Sequence, residues 1–281
     1  MSEISPNSPE INQTLKHKEY RPKQTSVSGK EITEKQITGD TVIYFGGTFE
    51  NPDSKSTEDL KQSWADYSSN ICYSFLATAD PEEVLKFIKE KGLTNIVLTG
   101  YSQGAMRAVE LARILEKNNQ IKINGLVLLE PTSLYKQENL SKKFISEISK
   151  TVESFGKYKK SSRKTYEEKE LIKKGKYLLE EGVTIGIPKL IDVKGKNGLP
   201  LKDQIKNMSS VHPDLDKIKS KIVIIQGNDD AISNPKKTNL EVFGKNKNVF
   251  QITGDYLNTH FLPMFRSEQI AKVGLGQLHR L

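Results

Sequence analysis

From Thr41 onward, short apolar runs alternate with segments whose apolar residues recur every three to four positions. TVIYF at 41–45, a run at 71–75, NIVLT at 95–99, INGLVLL at 123–129, KIVIIQ at 221–226 and the stretch 248–252 have the length and β-branched content of strands. Between them lie helical patterns. Residues 56–66 form one candidate. A second opens at Asp80-Pro81, with the aspartate as N-cap and the proline at the first helical position, and runs through Val84, Leu85 and Ile88 to a stop at Gly92. A third, 105–115, sets Ala105, Ala108, Leu111 and Leu115 on or near one face, and a last one lies near 268–273. Compact strands alternating with amphipathic helices predict an α/β architecture, a mostly parallel central sheet with helices on both faces.

Three stretches break the alternation. Residues 1–23 are rich in Ser, Pro, Asn, Glu and Lys with little apolar pattern, and read as a flexible N-terminal tail. Residues 24–38 alternate weakly around Ser28-Gly29, as a hairpin would. Residues 131–220 are long, Lys-rich and helical in pattern, as in LSKKFISEISKTVESF (140–155) and TYEEKELIKKGKYLLEE (165–181). The expected organisation is therefore a core of 24–130 and 221–281, with 131–220 as a helical insertion over one edge of the sheet. There is no internal repeat.

Composition narrows the class. Of 281 residues, 35% are hydrophobic and 28% charged, which suits a soluble globular protein with a polar surface. No apolar run approaches the roughly 18 residues of a membrane span. The first twenty residues lack the apolar centre of a secretory signal, and a single cysteine excludes an intrachain disulfide, so the expected location is cytoplasmic. That cysteine, Cys72, lies in the apolar ICYSFL and is expected to be a buried structural thiol. The net charge is +8, and residues 131–220 alone carry 20 Lys and Arg against 12 Asp and Glu, leaving the rest neutral. Such an excess is most simply a solvated lysine-rich face. The cluster KYKKSSRK at 157–164 also makes an anionic membrane surface a candidate partner. It matches no recognised nucleic-acid-binding motif, so no specific nucleic acid partner is expected.

One short stretch then changes the picture. NIVLT runs into Gly100-Tyr101-Ser102-Gln103-Gly104 and on into the helix AMRAVELARIL. With 19 glycines in the chain, G-x-S-x-G alone is a weak signal; its position between a strand and a helix is what gives it content. A serine hydroxyl becomes a nucleophile only when a base takes its proton, and a sharp strand-to-helix turn presents it outward from the sheet. Gly100 and Gly104 leave room for that turn. The Gln103 N–H, at the helix N-terminus, is placed to hold a developing oxyanion.

Three further features can be sought independently. A second oxyanion donor should follow an earlier strand, and Phe45-Gly46-Gly47-Thr48 follows TVIYF directly; Gly47 is the expected donor, with Thr48 close behind. An acid should follow a late strand, and KIVIIQ leads into Gly227-Asn228-Asp229-Asp230. Asp230 is favoured, with Asp229 as a turn residue and Glu130, after INGLVLL, as a rival. A histidine should come last: of four, His260 falls between the last strand and last helix, while His17, His212 and His279 lie in the tail, the insertion and the C-terminus. The chain order Ser102, Asp230, His260 is the one a nucleophile elbow requires. No ligand-spaced His/Cys/Asp cluster, P-loop or dinucleotide fingerprint is present, so neither metal nor cofactor is expected.

These residues resemble the α/β-hydrolase superfamily over about 40–130 and 214–275, with the insertion where that family carries its cap. The segment DLDKIKSKIVIIQGNDDAIS (214–233) is similar to the family's acid-bearing strand. Phe45 departs from the histidine many members have before the oxyanion glycine. The resemblance implies acyl transfer to water: His260 activates Ser102 against a small-molecule ester or thioester, Gln103 and Gly47 hold the oxyanion, and Asp230 orients His260. Tyr158, Tyr177, Leu178, Leu179, Ile185 and Ile187 of the cap are candidates to line an acyl pocket. The competing readings are a catalytically inactive member of the fold that binds a ligand or partner, and a binder of anionic membrane or nucleic acid that acts through the basic insertion.

Overall fold

The computed structural model describes residues 15–23, 39–47, 50, 52–53, 55–117, 121–132, 215–228, 230, 232–238, 248–254 and 267–280, with isolated positions 143 and 146. Within them seven strands form one sheet: β1 (His17–Tyr20), β2 (Thr41–Phe45), β3 (Cys72–Phe75), β4 (Asn95–Tyr101), β5 (Lys122–Leu129), β6 (Ile222–Gly227) and β7 (Val249–Gly254). The order across the sheet is β1-β3-β2-β4-β5-β6-β7, and every pairing is parallel except β1 with β3. The helices are α1 (Glu58–Ser68), α2 (Pro81–Glu90), α3 (Gln103–Leu115), the single turn α4 (Pro235–Thr238) and α5 (Ser267–Arg280).

Strands buried on both faces must be apolar at consecutive positions, which is why they read as continuous runs. Alternation within each strand then divides the core in two. Ile43, Phe45, Leu98 and Leu128 face one layer with Val84, Ile88, Ala108 and Leu111 of α2 and α3. Val42, Tyr44, Val97 and Val127 face the other with Leu60 and Trp64 of α1 and Ile270 and Leu275 of α5. Burying a Leu or Ile side chain contributes about 1.5–3 kcal/mol, so each layer is held by several such residues. The start of α2 is as expected: Asp80 is extended, its carboxylate accepts the Glu82 N–H, and Pro81 follows.

Three differences from the sequence reading have physical causes. His17–Tyr20 lies within the stretch expected to be a tail, yet it is an antiparallel edge strand on β3. Its charged residues suit an exposed edge, while Tyr20 is buried and donates to the Pro52 carbonyl. The last helix runs fourteen residues rather than six. Gly274 and Gly276 weaken its apparent periodicity, but Gly274 faces Val127 and Trp64 closely enough that a methyl group would lie 2.9 Å from Val127 Cγ1. α3 begins at Gln103, directly after the serine. The expected hairpin at 24–38 and, apart from positions 143 and 146, the basic insertion from 133 to 214 lie outside the described residues. Among the described residues no helix is long and apolar enough to cross a membrane.

Candidate active site

The chain changes direction along the sheet at β2. From β2 it steps outward to β3, then returns to place β4 on the other side of β2. At such a switch point the loops leaving neighbouring strands diverge and open a crevice at the carboxyl ends. Gly46-Gly47 leave β2 there and Ser102 leaves β4. Glu130 and Asp230 follow β5 and β6 farther along the same edge.

Ser102 has φ 55° and ψ −116°. This is a conformation that side chains seldom adopt, costing of order 1–3 kcal/mol when the surrounding structure enforces it. The enforcement is visible. The Ser102 N–H donates to the Leu129 carbonyl at 2.8 Å, and the Thr132 and Ala105 amides reach its carbonyl at 3.4 and 3.2 Å. Both flanking glycines are sterically required. A Cβ on Gly100 would lie 2.3 Å from the Gly104 carbonyl oxygen, and one on Gly104 would lie 2.3 Å from the carbonyl oxygens of both Phe45 and Gly46. The turn therefore packs backbone against backbone, and it is seated on the loop that follows β2. A Cβ on Gly47 would meet Tyr101 at 3.0 Å and the Ser102 Cβ at 3.7 Å. Gln103 is the first residue of α3, where the amide has no acceptor within its own helix.

The Gly47 N–H, expected to face an oxyanion, donates instead to Glu50 Oε2 at 3.0 Å. The cause is a tight turn in which the Glu50 amide donates back to the Gly47 carbonyl, bringing the carboxylate under the Gly47 amide. Glu50 is the centre of a buried cluster. Its Oε2 also accepts from the Tyr44 hydroxyl at 2.9 Å. Its Oε1 accepts from the Thr57 hydroxyl at 2.6 Å and pairs with Lys61 Nζ at 2.9 Å. The Glu50 and Lys61 side chains are 3% and 0% exposed, so this is an interior ion pair. Thr57, at the N-cap of α1, uses its hydroxyl here rather than on the helix amides. Burial, with Glu50 alongside, holds the Tyr44 phenol well above its ordinary range and keeps it a neutral donor. The sequence reading missed this cluster. Its one available signal is Lys61, which stands among Leu60, Trp64 and Ala65 on the buried side of α1.

Both candidate acids that the structure describes are buried. Asp230 is 2% exposed, and its Oδ1 accepts the Ile232 N–H at 2.7 Å. Its loop is pinned to the sheet by Gln226, whose side-chain amide donates to the Ser233 carbonyl and hydroxyl and to Thr238. Glu130 has φ 43°, and its Oε1 accepts the Gly227 N–H at 2.7 Å, so it ties the end of β5 to the end of β6. Asp229, His260, Thr48 and the six cap residues from Tyr158 to Ile187 lie outside the described residues. The structure thus brings Gly47, Gly100, Ser102, Gln103 and Gly104 together and sets Asp230 and Glu130 on the same edge. Cys72 is wholly buried in β3, and burial pushes its thiol far up, which removes it as a nucleophile. Among the described residues no group of three His, Cys, Asp or Glu side chains is arranged to hold a metal ion.

No family model matches the chain, and no curated protein matches it. Solved structures do. MGS-M2, an alpha/beta hydrolase enzyme from a Medee basin deep-sea metagenome library, is similar at a TM-score of 0.57 and 14% identity, covering 95% of this chain and 94% of that one. The enol-lactonase from Burkholderia xenovorans LB400 is similar at 0.54 and 11%, covering 95% and 96%. A lipase-esterase related protein from Clostridium acetobutylicum ATCC 824 is similar at 0.52 and 16%, covering 92% and 97%. With the sheet order and the strand-turn-helix at Ser102, these similarities show that the chain has the α/β-hydrolase fold.

Proposed function

We propose that the protein is a serine hydrolase that cleaves a small-molecule carboxylic ester or thioester through an acyl-enzyme intermediate. The observation that carries the reading is the Ser102 backbone. A non-glycine residue is held at φ 55° between a strand and a helix, by two glycines that tolerate no side chain, at the switch point of the sheet. That strain has a use if it presents a nucleophile. Two of the similar structures are named for ester chemistry, as a lipase-esterase related protein and an enol-lactonase.

In this reading the Ser102 hydroxyl attacks the acyl carbonyl as His260 takes its proton, and the tetrahedral oxyanion is held by the Gln103 N–H at the start of α3. The second donor comes from the turn after β2. Because the Gly47 N–H is committed to Glu50, the next amide, that of Thr48, is favoured. Asp230 is the acid that orients His260; its burial and its position after β6 support that role. His260 then protonates the leaving alcohol or thiol, and water releases the acyl group by the same route.

The test is a panel of p-nitrophenyl esters of graded chain length with acyl-CoA thioesters, run on the wild type and on Ser102→Ala, His260→Ala and Asp230→Asn. Turnover of at least one substrate should fall by about 10³-fold or more in the serine and histidine variants and by about 10²-fold or more in the aspartate variant. Turnover that survives Ser102→Ala refutes the reading.

A further inference from the structure

The described interior holds a second charged device beside the elbow that the proposed chemistry does not use. Glu50 gathers four donors on one carboxylate. Oε1 takes Thr57 and Lys61, both from the start of α1, and Oε2 takes Tyr44 of β2 and the Gly47 amide. Lys61 Nζ donates in addition to the Pro52 carbonyl at 3.2 Å, which also receives the Tyr20 hydroxyl. The cluster thus ties the β2 turn to β2 itself, to α1 and to the edge strand β1. The Gly46 backbone lies directly on it, since a Cβ there would stand 2.9 Å from the Glu50 carboxyl carbon. On its other side the same turn is the floor of the nucleophile elbow: the Phe45 and Gly46 carbonyls abut Gly104, and Gly47 abuts Tyr101 and Ser102.

A solvated loop would not need an ion pair beneath it. Burying a carboxylate and an ammonium is costly unless the geometry is good and the remaining hydrogen-bonding positions are filled. Here both carboxylate oxygens are doubly engaged. A bare carboxylate this close to a developing oxyanion would oppose it, and Lys61 offsets that charge.

We propose that Glu50, neutralised by Lys61, is a positioning residue for the acyl-transfer reaction: it fixes the turn after β2 against Ser102, and so sets the oxyanion site. This rests on the hydrolase reading above. A misplacement of about 1 Å in such a site costs on the order of 10²-fold in rate, so loosening the turn should show in kcat.

The experiment compares wild type, Glu50→Ala, Tyr44→Phe, Thr57→Val and the double variant Glu50→Gln/Lys61→Met by ester kinetics and by amide hydrogen exchange at Gly47. Glu50→Ala should lower kcat by about 10-fold or more, leave KM within about 3-fold, and speed Gly47 exchange. The double variant keeps an oxygen acceptor for Gly47 and removes both charges together, so it should return kcat to within about 5-fold of wild type. If Glu50→Ala does not fold, Tyr44→Phe and Thr57→Val decide the matter. Each removes one donor and leaves the ion pair, and each should lower kcat about 2- to 5-fold at unchanged KM. Wild-type kcat in the folded variants, or a KM effect alone, overturns the proposal. If the wild type turns over no ester, the hydrolase reading fails separately, and Gly47 exchange judges the anchoring: protection unchanged without the carboxylate overturns it.

Discussion

Replacing Ser102 by glycine should make the protein more stable while abolishing its activity. The backbone at this position, φ 55° and ψ −116°, is penalised by a Cβ and not by a hydrogen. Such a conformation costs of order 1–3 kcal/mol. Glycine returns about 0.5–1 kcal/mol of that through the extra freedom of its unfolded chain. The right reference is Ser102→Ala, which also lacks the hydroxyl and keeps the Cβ. The glycine variant should therefore exceed the alanine variant by about 0.5–2 kcal/mol. For a chain of this size that is roughly 1–3 °C in Tm. The assay is urea unfolding followed by far-ultraviolet circular dichroism, with thermal melts beside it, on wild type and both variants. Neither variant should turn over an ester. A glycine variant no more stable than the alanine variant would mean that the turn stores no strain at Ser102 and that its backbone gives no sign of a nucleophile.

The remaining expectations concern packing and reactivity. Gly104→Ala must push a methyl group off two carbonyl oxygens 2.3 Å away and should cost about 3 kcal/mol or more, whereas Gly276→Ala, which meets nothing within 4 Å among the described residues and lies in a helix interior, should stabilise by about 0.4–1 kcal/mol; chemical denaturation of the two single variants checks the contrast. Among the described residues Thr132 Oγ1 is buried with no hydrogen-bond partner, so Thr132→Val should leave stability unchanged or raise it by up to about 1 kcal/mol in the same assay. Cys72 should resist iodoacetamide at pH 8 in the folded protein and react fully in denaturant, because burial holds its thiol up and shields it; modification of the native protein, read by intact mass, would contradict its placement in β3.

Much of the core was legible because parallel strands buried on both faces leave uninterrupted apolar runs; TVIYF, NIVLT and KIVIIQ each became a strand within two residues of the expected bounds. The elbow was legible because its two glycines are dictated by backbone contact rather than by composition, and Gly104 pressed against Phe45 and Gly46 shows that contact directly. What stayed hidden has a common cause: partners distant in sequence. His17–Tyr20 carries three polar residues in four, and only pairing with β3 makes it a strand. Nothing local to Glu50 announces that Tyr44, Thr57 and Lys61 converge on it, and so the direction of the Gly47 amide was out of reach as well. Gly274 reads as a helix breaker until the nearness of Val127 and Trp64 explains it.

The central claim is that Ser102 is a nucleophile. Incubating the folded protein with a fluorophosphonate, then mapping the adduct by peptide mass spectrometry, tests it most directly. One adduct per chain on Ser102, absent from Ser102→Ala and suppressed in His260→Ala, is the predicted result. No adduct on the wild type, or an adduct that persists in Ser102→Ala, contradicts it.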